Sequence, residues 1–505
     1  MPPRPADLTS QAAVPASTVQ PGITAVIVLA AGQGTRMKSS RPKVLHELAG
    51  KPLIWHAMAA AAALRPATLV AVLGHGRDEV GRYLADATDL PKVVTAIQDE
   101  QKGTGHACAC ALEVTGALPG TVIVTYGDVP LLQPGTLQRL ADVHTTSGNA
   151  VTVLTATVTN PTGYGRIIRD DAGALVKIVE QKDADPAQRA VTEINSGVYA
   201  FDGDVLSDAL GRLSDKNAAG ERYLTDVVGI AKHDGRPVGS VHADDAVETE
   251  GVNDRVQLAD LARVLNARLV RRAQLAGVTV HDPATTWIHA DVTIGADTQI
   301  LPGTQLTAGT TIGAGCSIGP DTTLSACTVG DGASVVRSHA DGATIGPDAA
   351  VGPFSYLRPG AVLEARAKAG AFVEIKKSVV GPGSKVPHLS YIGDTTIGAG
   401  VNIGAGTITA NYDGDHKYPT VIGDQVFVGS DSTLVAPVTL GDGAYVAAGS
   451  TVTDDLGPGD LGIARGRQYV APCWLLLKRV GTKAASAAAA ALADEPVQLP
   501  TRDEP

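Results

Sequence analysis

From residue 22 to about 250, short β-branched runs alternate with stretches of helical periodicity. ITAVIVLA (23–30), TLVAVLG (68–74), KVVTAI (92–97) and TVIVTYGD (121–128) predict strands, with helices near residues 53–64, after Gly76 and through residues 106–112. This alternation is the pattern of βαβ units around a mostly parallel sheet with helices on both faces. Ligands of such sheets sit beyond the carboxyl ends of the strands, so the polar loops 32–43, 98–105 and 126–130 are expected to converge. A helix follows over about Asn253 to Ala276, with Leu258, Leu261, Leu265 and Leu269 on one face. Its arginines, Arg263, Arg268, Arg271 and Arg272, are expected on a solvated or linker-facing surface.

Beyond residue 280 the period becomes six. Ile294, Ile300, Leu306, Ile312, Ile318 and Leu324 keep that step, as do Ile422, Val428, Leu434, Leu440, Val446 and Val452. One inward aliphatic per flat face, with small residues at the corners, describes a parallel β-helix of triangular section. The phase breaks over residues 364–391 and 409–421, and loops that interrupt a solenoid are where function is expected. Five segments result: a disordered tail at 1–21, an α/β domain at 22–252, a linker helix at 253–277, a β-helix at 278–474 and a disordered Ala/Pro-rich tail at 475–505.

Composition narrows the function. A chain of 505 residues with 44% hydrophobic content implies more than one domain. A net charge of −11 gives no general attraction to nucleic acid or to a membrane surface, so basic clusters must be local. No signal peptide and no run long enough to span a bilayer is present, and a cytoplasmic location is expected. The five cysteines form no CxxC pair and are expected to be reduced and packed as small hydrophobes.

The stretch LAAGQGTRMKSSRPK (29–43) follows the first strand. It is neither GxxxxGK[ST] nor GxGxxG. Its Gly-rich turn with Arg36 and Lys43 suits a triphosphate whose α-phosphorus is attacked. Asp128 in YGDVPL ends a strand where a carboxylate can hold Mg²⁺. Gln98 and the QKGTGHA loop carry amide and backbone groups suited to a uracil edge. GYGRI (163–167), Glu180 and NSG (195–197) carry groups suited to sugar hydroxyls. KVPHLSYIGD, within the first break of the six-residue repeat, carries His388.

The run LAAGQGTRM…RPKVLHELAGKPL, Q…GTGHA, YGDVPL, PTGYGRI, EINSG and EGVNDR resembles the bifunctional bacterial UDP-N-acetylglucosamine pyrophosphorylase / glucosamine-1-phosphate N-acetyltransferase family. RPGA, FVEIKKS, HLSYIGD, NIGAGTITANYDG and VGSDSTLVAPV extend the resemblance over residues 22–470. It implies a Rossmann-like nucleotidyltransferase domain and a left-handed β-helix of hexapeptide repeats, joined by a long helix. The nucleotide would be held by Leu29, Ala30, Ala31, Gly32, Gly34, Gln98, Gly103, Thr104, Tyr126 and Gly127, with Arg36 and Lys43 stabilising the pentavalent phosphate. Asp128 and Asn253 would bind Mg²⁺, and Gly165, Glu180, Asn195 and Asn253 would grip N-acetylglucosamine 1-phosphate.

In the β-helix, the resemblance implies His388 as base and Arg358, Lys376, Tyr391 and Asn402 for glucosamine 1-phosphate. Ala405, Asn411, Tyr412, Ser430, Ala448 and Arg465 would line an acetyl-CoA groove. Trp474 lies in GRQYVAPCWLLLKR, which the resemblance does not cover, and is expected to cap the solenoid, with closure of the coenzyme groove as the alternative. UTP and acetyl-CoA are the implied co-substrates, and the implied assembly is a homotrimer with no nucleic-acid or membrane partner. Two other readings compete: a monofunctional sugar-1-phosphate nucleotidyltransferase with a trimerising or regulatory β-helix, and a non-catalytic assembly protein. The presence of Arg36, Lys43 and Asp128 argues against the second, and His388 with Asn402 against the first.

Overall fold

The computed structural model describes residues 22–493. The expected N-terminal tail and the last twelve residues lie outside the described part. The chain divides after Ala349 into two compact units, each taken here by itself.

The first unit opens with the expected alternation: β1 (Ile23–Ala30), α1 (Leu53–Ala62), β2 (Thr68–Leu73), α2 (Arg77–Asp86), β3 (Val94–Ile97), α3 (Thr104–Thr115) and β4 (Thr121–Tyr126). It continues through α4 (Pro134–Thr146), β5 (Val151–Thr157), the hairpin β6 (Arg166–Arg169) and β7 (Leu175–Val179), and β8 (Glu193–Asp202). The last elements are α5 (Gly203–Arg212), α6 (Asp226–His233), β9 (Val238–His242) and α7 (Arg255–Leu275). The sheet order is β9-β5-β8-β4-β1-β2-β3, with β6 and β7 attached through β8. β1 is parallel to β2 and β4 and buried on both faces, Ile27 on one side and Val26 and Val28 on the other, which explains its continuous apolar run.

The sheet is mixed rather than simply parallel. β8 runs antiparallel to β4 and β5, re-entering the sheet after the β6/β7 hairpin and a connection that holds only the one-turn helix Pro186–Arg189. Its register shifts between Asn195 and Tyr199, a bulge that falls on NSG.

Helix α7 begins two residues later than expected. Asp254 is its N-cap, accepting from the N–H groups of Val256 and Gln257 at 2.9 Å each, so Asn253 stays outside the helix. Asn266 is buried on α7, donates to Thr286 O at 2.7 Å and accepts from Ile288 N at 3.0 Å, fastening the helix to the first β-helix coil. Arg268 does not sit in a solvated surface: it donates to Leu131 O at 2.9 Å and pairs with Asp245 at 3.0 Å.

The coils are parallel ladders of two- to four-residue strands whose inward aliphatics stack. In the first unit Ile294 pairs with Ile312 and Ile312 with Val329, and in the second Leu357 pairs with Ile375 and Leu363 with Val380. Corner hydroxyls close backbone carbonyls, as Thr304 Oγ1 does on Leu301 O at 2.7 Å. The break expected at 364–391 is not a loop. Strands Lys368–Ala371, Glu374–Lys376, Val379–Val380 and Lys385–His388 continue the ladders, and the phase slips because single residues are missing at corners. Residues 411–419 do form an excursion, closed by Tyr418 N on Asn411 O at 2.9 Å.

The tail expected from residue 475 is not irregular throughout. Trp474–Lys478 and Lys483–Ala493 are helices, the second an alanine run, and alanine has the strongest helix propensity. Trp474 is half-exposed, with the Arg479 guanidinium 5.7 Å from its ring centroid. Cys108, Cys110, Cys316 and Cys327 are buried, and Cys473 is exposed.

Candidate functional site

The three loops that follow β1, β3 and β4 meet in a cleft of about 280 Å³. Leu29, Ala30, Ala31, Gly32, Lys43, Gln98, Gly103, Thr104, Tyr126 and Asp128 line it, so the structure brings together most of the residues expected around a nucleotide. Gly127 N donates to Leu29 O at 2.9 Å, tying the loop after β4 to the end of β1. Gln98 is buried, donating from Nε2 to Gly103 O at 3.0 Å. Thr104 Oγ1 accepts from Leu224 N at 3.0 Å.

The two expected phosphate-binding cations each meet one side-chain oxygen. Lys43 Nζ is bonded to Asp128 Oδ2, with side chains only 12% and 20% exposed. Arg36 Nη2 donates to Asn253 Oδ1 at 2.8 Å. The two halves of this arrangement are joined by backbone, since Val252 N donates to Asp128 O at 2.9 Å. The two residues expected to bind metal are thus held by the two expected to bind phosphate. Asp128 and Asn253 are hard oxygen donors brought together from β4 and from the cap of α7, a donor set that fits a divalent cation completed by phosphate and water.

The residues expected to hold the sugar converge from the ends of β6 and β7 and from β8. Asn195 N donates to Gly165 O at 2.9 Å, and a Cβ on Gly165 would stand 3.3 Å from Glu180 Oε1 and 3.5 Å from Asn195 Cβ. The bulge needs Gly197: its φ is +83°, and a Cβ there would lie 2.3 Å from the Tyr126 ring. Burial, with Asp226, Asp183 and Glu221 nearby, pushes the Glu180 carboxyl up, while the Thr225 hydroxyl donates to it at 3.4 Å.

Gln101 and Glu221 line this cleft and Thr225 meets Glu180, and none of the three was singled out from sequence. Gln101, which donates to Ala31 O at 2.7 Å, lies inside the QKGTGHA loop already picked out. Glu221 and Thr225 sit on a segment with no motif and reach the site only through the fold.

In the second unit the predicted residues fall into two rows at opposite ends of one sheet's short strands. One row holds Arg358, Lys376 and Asn411, with Tyr391 at the start of its strand. Arg358 Nη1 pairs with Glu374 at 3.0 Å, and Lys376 Nζ lies 3.8 Å from Asp394 Oδ2, which also accepts from Asn411 Nδ2. Gly393 lets this row close: a Cβ there would stand 2.5 Å from Tyr391 Oη and 2.7 Å from Asn411 Nδ2. Asp394, the last residue of HLSYIGD, and Lys417, inside the 409–421 break, belong here although neither was assigned a role from sequence, and the nearby Lys376 ammonium pushes Lys417 below the usual lysine value.

The other row is the opposite corner. His388 O accepts from Gly406 N at 3.3 Å, Ala405 O from Asp431 N at 2.7 Å, and Ser430 O from Gly449 N at 2.8 Å. Arg465 Nη1 donates to Ala448 O at 2.9 Å, so Ala405, Ser430, Ala448 and Arg465 form one small-residue ridge beside exposed His388. Asn402 lies on the adjoining sheet, paired with Lys385 and Phe427. Tyr412 projects on the 411–419 excursion, its hydroxyl donating to Gly414 O at 2.5 Å.

Residues 26–193 match the MobA-like NTP transferase domain, residues 291–326 the bacterial transferase hexapeptide (six repeats), and residues 419–454 the hexapeptide repeat of succinyl-transferase. The chain is 54% identical over 477 residues to the bifunctional protein GlmU of Corynebacterium efficiens, covering 94% of this chain and 98% of that protein. It is 54% identical to the protein of the same name from Corynebacterium glutamicum, covering 93% and 97%, and to that of Streptomyces avermitilis, covering 94% and 98%.

Proposed function

The chain belongs to the bifunctional GlmU family, and we propose how its two sites divide the chemistry of UDP-N-acetylglucosamine synthesis. The chain is an enzyme with two activities, acetyl transfer in the hexapeptide half and uridylyl transfer in the nucleotidyltransferase half. Matches along nearly the whole length of proteins named bifunctional leave no place for the monofunctional reading.

In our reading glucosamine 1-phosphate is acetylated first. Arg358 and Lys376 hold its phosphate, Tyr391 and Asn402 position the ring, and His388 takes the proton from the ammonium so that the amine attacks the thioester carbon, the C–S bond breaks, and coenzyme A leaves as its protonated thiol. Ala405, Ser430 and Ala448 leave a shallow track for the pantetheine arm of acetyl-CoA, with Asn411, Tyr412 and Arg465 at its borders. The N-acetylglucosamine 1-phosphate produced then binds Gly165, Glu180 and Asn195 in the first unit. Its phosphate oxygen attacks the α-phosphorus of UTP in line, and pyrophosphate leaves.

The observation that carries this reading is the pairing of Lys43 with Asp128 and of Arg36 with Asn253. Substrate phosphates compete for Lys43 and Arg36, which then stabilise the equatorial charge, and the freed Asp128 and Asn253 oxygens hold the cation. That cation, proposed as Mg²⁺, supplies charge neutralisation on the triphosphate when bound. No covalent intermediate is needed, so the chain's work is positioning and electrostatics.

Homotrimer assembly is supported by exposed aromatic ladders on the second unit. Phe354 and Phe372 stack at 5.2 Å while 53% and 58% exposed, and Phe427 and Tyr445 stack at 4.6 Å. Among the described residues no helix is long and apolar enough to cross a membrane, and a cytoplasmic setting, where both co-substrates occur, fits this chemistry.

The test supplies glucosamine 1-phosphate, acetyl-CoA, UTP and Mg²⁺ and follows free CoA thiol and pyrophosphate separately. Pyrophosphate should appear only after CoA, and only when acetyl-CoA is present. Prompt pyrophosphate without acetyl-CoA would overturn the order, and light scattering tests the trimer.

A further inference from the structure

Among the described residues, the largest side chain wholly inside the protein is Arg166 on β6, 1% exposed. Among the described residues it makes no ion pair. Nη1 donates to Tyr164 O and Nη2 donates to Gln181 Oε1 at 2.6 Å, while Nε has no partner. A buried guanidinium that meets only neutral acceptors costs stability, and a hydrophobic residue would fill such a place more cheaply.

Its two anchors explain the placement. Tyr164 immediately precedes Gly165, and Gln181 immediately follows Glu180, so one side chain ties together the ends of β6 and β7 that carry two of the sugar residues. Its own backbone pairs with Val179 and with Ile194, the neighbour of Asn195. The charges around Glu180 point the same way. Facing it are Asp183 on the turn after β7, Glu221 and Tyr223 on the segment before α6, Thr225 and Asp226 at the start of α6, Tyr126 on β4 and Tyr199 on β8. All are acidic or neutral. Arg166 is a cation whose charge interacts with Glu180, and Arg189 in turn opposes the Arg166 charge.

We propose that Arg166 is a positioning residue for the sugar 1-phosphate, which locks Gly165 and Glu180 in register and supplies the positive field that keeps Glu180 an anionic acceptor for sugar hydroxyls. The inference rests on the assignment of Glu180 to the sugar site. It separates this residue from Arg36, whose partner is Asn253.

Steady-state uridylyl transfer by full-length Arg166→Met, Arg166→Lys, Gln181→Ala and Glu180→Gln tests it, with acetyl transfer by the same samples as the check on folding. Arg166→Met should raise KM for N-acetylglucosamine 1-phosphate about tenfold with KM for UTP unchanged within about twofold. The acid limb of kcat/KM for the sugar should also move to higher pH, because Glu180 then takes up its proton sooner. Arg166→Lys should return that limb towards its wild-type position while the sugar KM stays raised. Gln181→Ala, which leaves the charge in place and reads positioning alone if Arg166→Met does not fold, should raise the sugar KM about threefold without moving the limb. Equal losses for UTP and sugar, an unmoved limb in Arg166→Met, or an unchanged sugar KM in Gln181→Ala would overturn the proposal. An unchanged sugar KM in Glu180→Gln would overturn the site assignment instead.

Discussion

In the nucleotidyltransferase half, functional residues from distant parts of the chain sink into one cleft, and its cations are already paired with its oxygen donors. In the β-helix half they come from successive coils, lie in two rows on a surface, and leave His388 exposed. Each site must grip a phosphorylated sugar. The α/β fold does so by gathering loops at strand ends, where low exposure strengthens every charge interaction. A solenoid can only repeat a position from one coil to the next, so it builds a site as a ridge and depends on another surface for depth.

The sharpest way to break this comparison is to show that the two sites are not independent. Asp128→Ala should lower uridylyl transfer about a thousandfold and His388→Ala acetyl transfer at least about a hundredfold, each leaving the other reaction within about twofold. Joint loss in either variant would mean one coupled centre. Next in size is Gly197→Ala, whose Cβ meets the Tyr126 ring. It should destabilise the first unit by about 2–4 kcal/mol and remove uridylyl transfer first, while calorimetry and the acetyl assay show the later coils intact.

Acid should separate the halves further. His56 and His144 are buried in the α/β part, and burial holds both below the ordinary histidine value. Because the folded state resists protonation, their contribution is complete above about pH 6.5 and is lost as pH falls below it. His388 and His416 on the later coils are exposed. Uridylyl activity should therefore fail before acetyl activity after incubation at about pH 5, and simultaneous failure would count against this. The smallest effect is expected at the junction inside the first unit, where Lys51 pairs with Asp89 at 3.0 Å and lies 3.6 Å from Asp291. Lys51→Ala should cost under about 1 kcal/mol in the thermal midpoint, since all three groups touch solvent.

Legibility differed between the halves in the same way. The strands of the first half were readable because β1 is buried on both faces, and the converging loops followed from strand order alone. The direction of β8 was not, since nothing local says whether a chain re-enters a sheet from a crossover or a hairpin. In the second half the period of six located the inward aliphatics, yet a dropped corner residue near 380 looked like a loop. Asp394 and Lys417 lay in segments picked out from sequence, but their roles were not legible because they come from neighbours one coil away.

Periodicity, motif spacing and propensity are properties of residues close in the chain, and they determined the two architectures, the linker helix and the loops that carry phosphate chemistry. Pairings between remote residues were decided only by the tertiary structure. Lys43 meets Asp128, Arg36 meets Asn253, Thr225 reaches Glu180, and Arg166 is enclosed beside Gln181. The physical reason is that burial and charge compensation depend on what the fold brings within a few ångströms, and that information is absent from any local stretch of sequence.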